Sequence, residues 1–220
     1  MTAIAIFVKT PGISAVKTRL AATIGAERAT DLYCRCAAAV AEAAREAAVG
    51  AVYWATAEPI ERAGARWADL PLLDQGDGGL GERMFRVMAE LVRRHGSGLL
   101  LGADAPQLDT AVLVTAARHL ERDPPSRVIG PARDGGFWTF GANHVPGLPR
   151  WTRVPYSHPD TLTAFRKSIG DDTEWLDLPM LTDLDTAADM PRVAAELAAL
   201  PHPLPRQKEL MELTVESRPA

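Results

Sequence analysis

The stretch Leu99-Leu-Leu-Gly-Ala-Asp-Ala-Pro106 constrains the fold more than any other part of the chain. An apolar run after Gly98 reads as a strand buried on both faces, as parallel strands are. Pro106 cannot extend it as an interior strand, because proline brings no N–H to the ladder. Asp104 is therefore delivered to a strand's carboxyl end, where the loops of an open α/β sheet leave a crevice for ligands. A carboxylate there, with no cation beside it in sequence, suits a hard divalent metal. The competing assignment is that Asp104 caps a helix beginning near Asp109.

The flanking segments alternate in the same manner. Ile4–Val8 reads as the first strand. From Ala26 to Val49, Ala29, Leu32, Tyr33, Ala37, Val40, Ala44 and Ala47 recur at helical spacing. Ala51–Ala55 is a second strand, Pro59–Ala68 a short helix, and Leu72-Leu73 a brief third strand. Glu82-Arg83 opens a helix with the apolar face Met84, Val87, Met88, Leu91 and Val92, and Asp109–Glu121 is another. Arg127–Gly130 is a strand that leads through Asp134-Gly135-Gly136, a hairpin signal, into the aromatics Phe137, Trp138 and Phe140, which are assigned to the core. Ser157 is expected to cap a helix from Pro159 to Ile169, and Glu174–Leu178 to form a late strand. Asp185 or Thr186 is the candidate cap of a last helix ending at Leu200. The pattern predicts a three-layer α/β/α sandwich with a mostly parallel sheet. Residues 1–200 are expected to form one domain, followed by a Pro-rich, charged tail over 201–220 with a helical stretch around Lys208–Leu213.

A net charge of -4 argues against a nucleic-acid partner, which requires a basic face to displace counterions. No stretch reaches the roughly 20 apolar residues needed to span a bilayer, so no membrane partner is expected. The short apolar run at the N-terminus lacks the basic region and cleavage site of a signal peptide. Cys34 and Cys36, two apart in a helical pattern, cannot bridge each other comfortably, which fits a reduced, cytoplasmic protein. The histidines have no metal spacing, and no Gly-x-Ser-x-Gly elbow points to a serine hydrolase. His158 reads as a surface or capping residue.

What remains is an inventory of loops. Lys9, Lys17 and Arg19 are displayed between the first strand and the next regular structure, which is expected near Leu20. Cations and backbone N–H groups on such a loop suit a phosphate, although the spaced glycines of a P-loop are missing. Four glycines from Gly76 to Gly81 suggest a backbone that passes close to a ligand. Asp134 sits on the Asp-Gly-Gly turn, and Asp183 and Asp185 alternate near the end of the sheet. A nucleotide with a divalent cation uses all of these: cations for the phosphates, glycines for base or ribose, and two carboxylates from distant parts of the chain for Mg2+.

The blocks Lys9-Thr-Pro with Val16-Lys17-Thr18-Arg19-Leu20, Gln75-Gly76-Asp77 with Leu80-Gly81-Glu82-Arg83, Gly102–Pro106, Gly130-Pro131 with Asp134-Gly135-Gly136, and Asp183-Leu184-Asp185-Thr186 resemble, in order, the motifs of the DUF2064 family. One departure is Ser14, where members of that family often carry glycine. The family belongs to the nucleotide-diphospho-sugar transferase (GT-A fold) superfamily, related to molybdenum cofactor and phospholactate nucleotidyltransferases. The resemblance implies Asp104 and Asp185 as ligands of Mg2+ or Mn2+, and Lys17 and Arg19, joined by Lys9, as phosphate-binding groups. It also implies Gly81 with Gly79 and Glu82 as part of the base pocket, and Asp134, Gly135, Gly136 and Phe137 on the acceptor side. Lys17, Arg19 and Asp104 are then the catalytic candidates. The implied substrates are an NTP or NDP-sugar and a small-molecule acceptor, and a homodimer is allowed. Nucleotidyl transfer to a phosphorylated acceptor is favoured, since a phosphate nucleophile is already an anion and no general base stands out. The usual metal motif of sugar transfer, Asp-x-Asp at the strand end, is replaced by Asp104-Ala-Pro. Glycosyl transfer is the alternative, and a nucleotide-binding protein without turnover is the third reading.

Overall fold

The computed structural model describes residues 1–123, 125–170 and 174–216. Among the described residues the strands are β1 (Thr2–Val8), β2 (Val52–Thr56), β3 (Leu72–Asp74), β4 (Ser97–Gly102), β5 (Arg127–Pro131), β6 (Phe137–Ala142) and β7 (Trp175–Asp177). They form one sheet in the order β3-β2-β1-β4-β6-β5-β7. β1 pairs in parallel with β2 and β4, β2 with β3, and β5 with β7. Only β6 runs against its neighbours, antiparallel to both β4 and β5. The expected three-layer, mostly parallel architecture is therefore the one adopted.

The helices are α1 (Thr18–Ile24), α2 (Ala26–Glu46), α3 (Ile60–Ala63), α4 (Leu80–His95), α5 (Thr110–Leu120), α6 (Pro149–Thr152), α7 (Thr161–Ile169), α8 (Met190–Ala198) and α9 (Pro205–Glu216). Side chains alternate across each strand, so both faces of the sheet are apolar and both must be covered. Ile4, Ile6, Leu99, Leu101 and Val128 pack beneath α2 and α5. Ala3, Ala5, Leu100, Ile129 and Phe140 pack beneath α4, α6 and α7, where Trp151 and Phe165 are fully buried. The far side of α2 carries a third apolar cluster, in which Leu32 and Cys36 meet Leu20 of α1, Val193 and Leu197 of α8, and Leu210 of α9. Gln207, also buried, donates from Nε2 to Pro106 O (2.8 Å) and Leu108 O (2.9 Å). The last helix is thereby tied to the loop leaving β4. No helix among the described residues is long and apolar enough to cross a membrane.

Several local expectations are corrected. The segment after β1 becomes helical at Thr18, not near Leu20, and α3 stops at Ala63 rather than Ala68. Ser157 does not cap α7. It adopts a positive φ of 60°, and Asp160 takes the N-cap position instead. The helix after Asp185 is α8, which starts at Met190 with Asp189 at its N-cap and Pro191 in its first turn, so neither Asp185 nor Thr186 caps it. Asp189 Oδ2 instead accepts from the N–H groups of Asp185 (3.2 Å) and Thr186 (2.7 Å). The Asp185 carboxylate is thereby left available for other partners.

Candidate functional site

One edge of the sheet collects the loops that carry chemistry. β1 leads there to Lys9–Lys17, β4 to Asp104, and β5 to Asp134. Asp183 and Asp185 follow β7, and β6, being reversed, begins there with Phe137.

The loop after β1 is anchored before it reaches its cations. Lys9 N–H donates to Tyr33 Oη (2.8 Å), and that hydroxyl donates to Lys9 O (3.1 Å). Thr10 N–H donates to the buried Glu58 carboxylate (2.9 Å), and Trp67 Nε1 donates to Thr10 Oγ1 (3.1 Å). The N–H groups of Ile13 and Ser14 both bond Thr10 O across a turn in which Gly12 has φ 85°. Lys17 then opens α1 in the left-handed conformation, φ 48°, which is costly for a residue with a Cβ.

That conformation accompanies a buried ion cluster. Lys17 Nζ lies 2.8 Å from Asp104 Oδ2 and 2.7 Å from Asp185 Oδ1, and its side chain is 5 % exposed. Burial alone would pull the ammonium's pKa down, but Asp104 and Asp185 together outweigh it and push it upward. Arg19 adds a contact of 2.6 Å to Asp185 Oδ2. Burial raises the Asp185 carboxyl, yet Lys17 and Arg19 hold it below the usual range. The two acid-bearing segments also touch through backbone, Leu184 N–H donating to Asp104 O (3.0 Å). Two carboxylates far apart in sequence are thus joined, through a lysine that the sequence expectation had reserved for phosphate.

Asp183 completes the group. Burial, then repulsion from Asp104, Asp134 and Asp185, pushes its carboxyl up to about 8, against the pull of Lys17. Its segment is clamped from α8. Glu196 accepts from Thr182 Oγ1 (2.8 Å) and Thr182 N–H (3.2 Å), and also from Gln107 Nε2 (2.9 Å), which itself donates to Thr182 O (2.7 Å). Asp183 stood in the sequence inventory beside Asp185 without an assigned role, whereas Glu196 was not a candidate. Asp183 could have been found from its alternation with Asp185, whereas nothing local marks Glu196.

Two cavities meet at this cluster. The smaller, about 530 Å3, is walled by Lys9, Lys17, Arg19, Gln75, Gly78, Arg83 and Asp104. The larger, about 640 Å3, is walled by Met84, Asp134, Gly136, Phe137, Thr139, Tyr156, His158 and Asp183. Phe7, Arg19, Leu80, Ser157 and Asp185 border both.

The remaining candidates fall in different places. Glu82 closes the start of α4 by accepting at Oε2 from Gly79 N–H, and neither Gly79 nor Glu82 lines either of these two cavities. Gly81 is a packing glycine, since a Cβ there would lie 2.5 Å from Trp151 O. The nearby residues that do face the smaller cavity are Gln75, Gly78, Leu80 and Arg83. Asp134 accepts from Gly136 N–H (2.8 Å), which holds the turn. Gly135, φ 90°, passes so close to Pro159 O that no side chain fits. Phe137 stacks 4.6 Å from Phe165, ring centre to ring centre, with one side on the cavity. His158 accepts at Nδ1 from Asp160 N–H (3.2 Å) and also borders the larger cavity.

The donor set suits a divalent ion. Asp104 Oδ1 is buried with no partner among the described residues, an orphaned hard oxygen beside a second carboxylate. No group of three His, Cys, Asp or Glu side chains gathers to hold an ion by itself among those residues. Two carboxylates are the complement with which Mg2+ binds when substrate phosphates and water complete its shell.

Comparison with known proteins agrees with the architecture. The fold is that of the nucleotidyltransferases and nucleotide-diphospho-sugar transferases. A structure from Desulfovibrio desulfuricans G20, provisionally described as a nucleotide-diphospho-sugar transferase, superposes with a TM-score of 0.79 at 21% identity, covering 98% of this chain and 95% of that one. CMP:2-keto-3-deoxy-manno-octonic acid synthetase, solved with CTP, gives 0.55 at 15% identity over 90% of this chain and 99% of its own. A nucleotidyl transferase from Methanothermobacter thermautotroptrophicus gives 0.52 at 16% over 87% and 95%. The profile of DUF2064, described as an uncharacterized protein conserved in bacteria, matches residues 24–158, and the chain belongs to that family. No curated protein matches it.

Proposed function

We propose that the chain is a metal-dependent nucleotidyltransferase, moving a nucleoside monophosphate from an NTP to a small phosphorylated acceptor with release of pyrophosphate. The observation that carries this reading is the junction of Lys17 with Asp104 and Asp185, where a cationic cavity adjoins a second cavity large enough for another substrate. The donor's phosphates enter the smaller cavity and meet Lys9, Lys17, Arg19 and Arg83. Mg2+ or Mn2+ held by Asp104 and Asp185 would supply neutralisation of charge on those phosphates. An acceptor phosphate oxygen forms the new bond to the α-phosphorus, the bond to the bridging oxygen breaks, and its electron pair leaves on pyrophosphate. The nucleophile is anionic at neutral pH, so the protein's task is to orient the partners and balance charge. Arg19 borders both cavities, which supports contact with donor and acceptor together. The nucleotidyltransferases that share the fold agree with this choice. With Cys34 and Cys36 both unbridged, the cytoplasm is the fitting compartment. Residues 1–200 are read as the working domain.

Glycosyl transfer is the second reading, favoured by Asp134 and Asp183 on the wall of the larger cavity, where a hydroxyl acceptor would find carboxylate partners. Incubation with each NTP or NDP-sugar, Mg2+ and a panel of small acceptors separates the cases. Pyrophosphate release is expected. NDP without pyrophosphate selects glycosyl transfer, and nucleotide binding without any turnover overturns both.

A further inference from the structure

Lys17 is a single cation that touches both Asp104 and Asp185. Its two contacts, 2.8 Å and 2.7 Å, are charge-assisted on a buried ammonium, and Arg19 meets the other oxygen of Asp185 at 2.6 Å. A divalent ion held by these carboxylates would repel an ammonium on the same pair. The ion and the ammonium therefore compete for one place. Lys17 also lines the smaller cavity together with Lys9, Arg19 and Arg83, so an entering polyphosphate offers it other anions. Asp104 Oδ1, buried and unpartnered among the described residues, is touched by neither Lys17 nor Arg19 and can take a further cation.

We infer that Lys17 is a resident stand-in for the divalent ion, which bars free metal from the Asp104–Asp185 pair and yields it only when donor phosphates draw the lysine into the smaller cavity. The inference rests on the proposed function, since it takes the pair to be the metal-binding carboxylates of a nucleotide-dependent enzyme. It adds an order of events: metal and polyphosphate arrive together, and metal alone binds poorly.

The test is Mn2+ binding to the full chain, read as protein-bound Mn2+ by equilibrium dialysis, with inorganic tripolyphosphate as a base-free probe at equal concentration on both sides of the membrane. Lys17→Met removes the stand-in at similar length. Without tripolyphosphate it is expected to bind Mn2+ about tenfold more tightly than wild type or better, since no charge-assisted hydrogen bonds are then given up. Equal Mn2+ affinity of variant and wild type without the probe overturns the inference, while binding by both in its presence leaves the proposed function standing. Failure of either protein to take up Mn2+ under any condition overturns the metal dependence itself, and the inference with it. Crystals of the wild type decide the matter even if Lys17→Met does not fold. An anomalous Mn2+ peak between the two carboxylates is expected only with tripolyphosphate, with Lys17 Nζ withdrawn. A peak in Mn2+ alone, beside an undisturbed Lys17, overturns the inference.

Discussion

The two cavities are built on different chemistry although they share a wall. In the smaller one the cations already hold carboxylates, Lys17 between two of them and Arg19 on Asp185, and the oxygen left over is Asp104 Oδ1. The larger one is apolar along Met84 and Phe137 and keeps polar groups that its own residues do not satisfy. Thr139 Oγ1 is buried without a partner among the described residues, and Asp183 is held against its nature as a carboxylate. Under the proposed function, the contrast makes the first cavity a place for one invariant feature, a chain of phosphates, and the second a place for a molecule whose groups must complete it.

The contrast is most exposed at the two carboxylates that Lys17 joins. Asp104→Asn and Asp185→Asn should each lower turnover about a hundredfold or more, the scale seen when a group that balances transition-state charge is removed. Steady-state kinetics with folding checked by circular dichroism measures this, and variants retaining turnover within threefold would sink the role of those acids.

A smaller effect belongs to Asp183. Its folded pKa is raised to about 8, so the stabilisation of its protonated form is full below the ordinary carboxylate range and is lost as pH rises through about 8. In EDTA, denaturation midpoints of wild type should fall relative to Asp183→Asn between pH 4 and pH 8, whereas parallel midpoints would refute the buried proton. The smallest change is Thr139→Val, which removes an unsatisfied hydroxyl at nearly constant shape. Stability should hold or rise by about 1 kcal/mol. The acceptor's KM should rise a few-fold while the donor's stays unchanged, and a shift in donor KM instead would erase the division between the cavities.

Much of this was legible in the sequence because it follows from periodicity. The apolar run before Asp104 and Pro106 fixed a buried strand and the direction of its exit, and the spacing from Ala29 to Ala47 marked the buried face of α2. The partnership of Asp104 with Asp185 was implied by the family resemblance of the motifs rather than by spacing. The lysine between them was not, since only packing in three dimensions decides which of three loop cations turns inward. Gly81 and Glu82 stood close to the right place, but local demands claimed them: one makes room for Trp151, and the other closes the end of its own helix. Ser157 looked like a cap because serine favours such positions, yet the chain crosses there with a positive φ on the border between the cavities.

The reversal of β6 reaches further than the topology suggests. Every other described strand reaches this edge with its last residues and what comes after them, whereas β6 offers its opening residues: Thr139 is paired on both flanks, with Leu101 of β4 and Gly130 of β5, and Phe137 with Pro131 of β5. Part of the larger cavity's wall is thus rigid sheet rather than pliable loop. If that cavity takes the acceptor, as proposed, a relative accepting a different molecule would exchange side chains on a frame that stays put, without disturbing the smaller cavity.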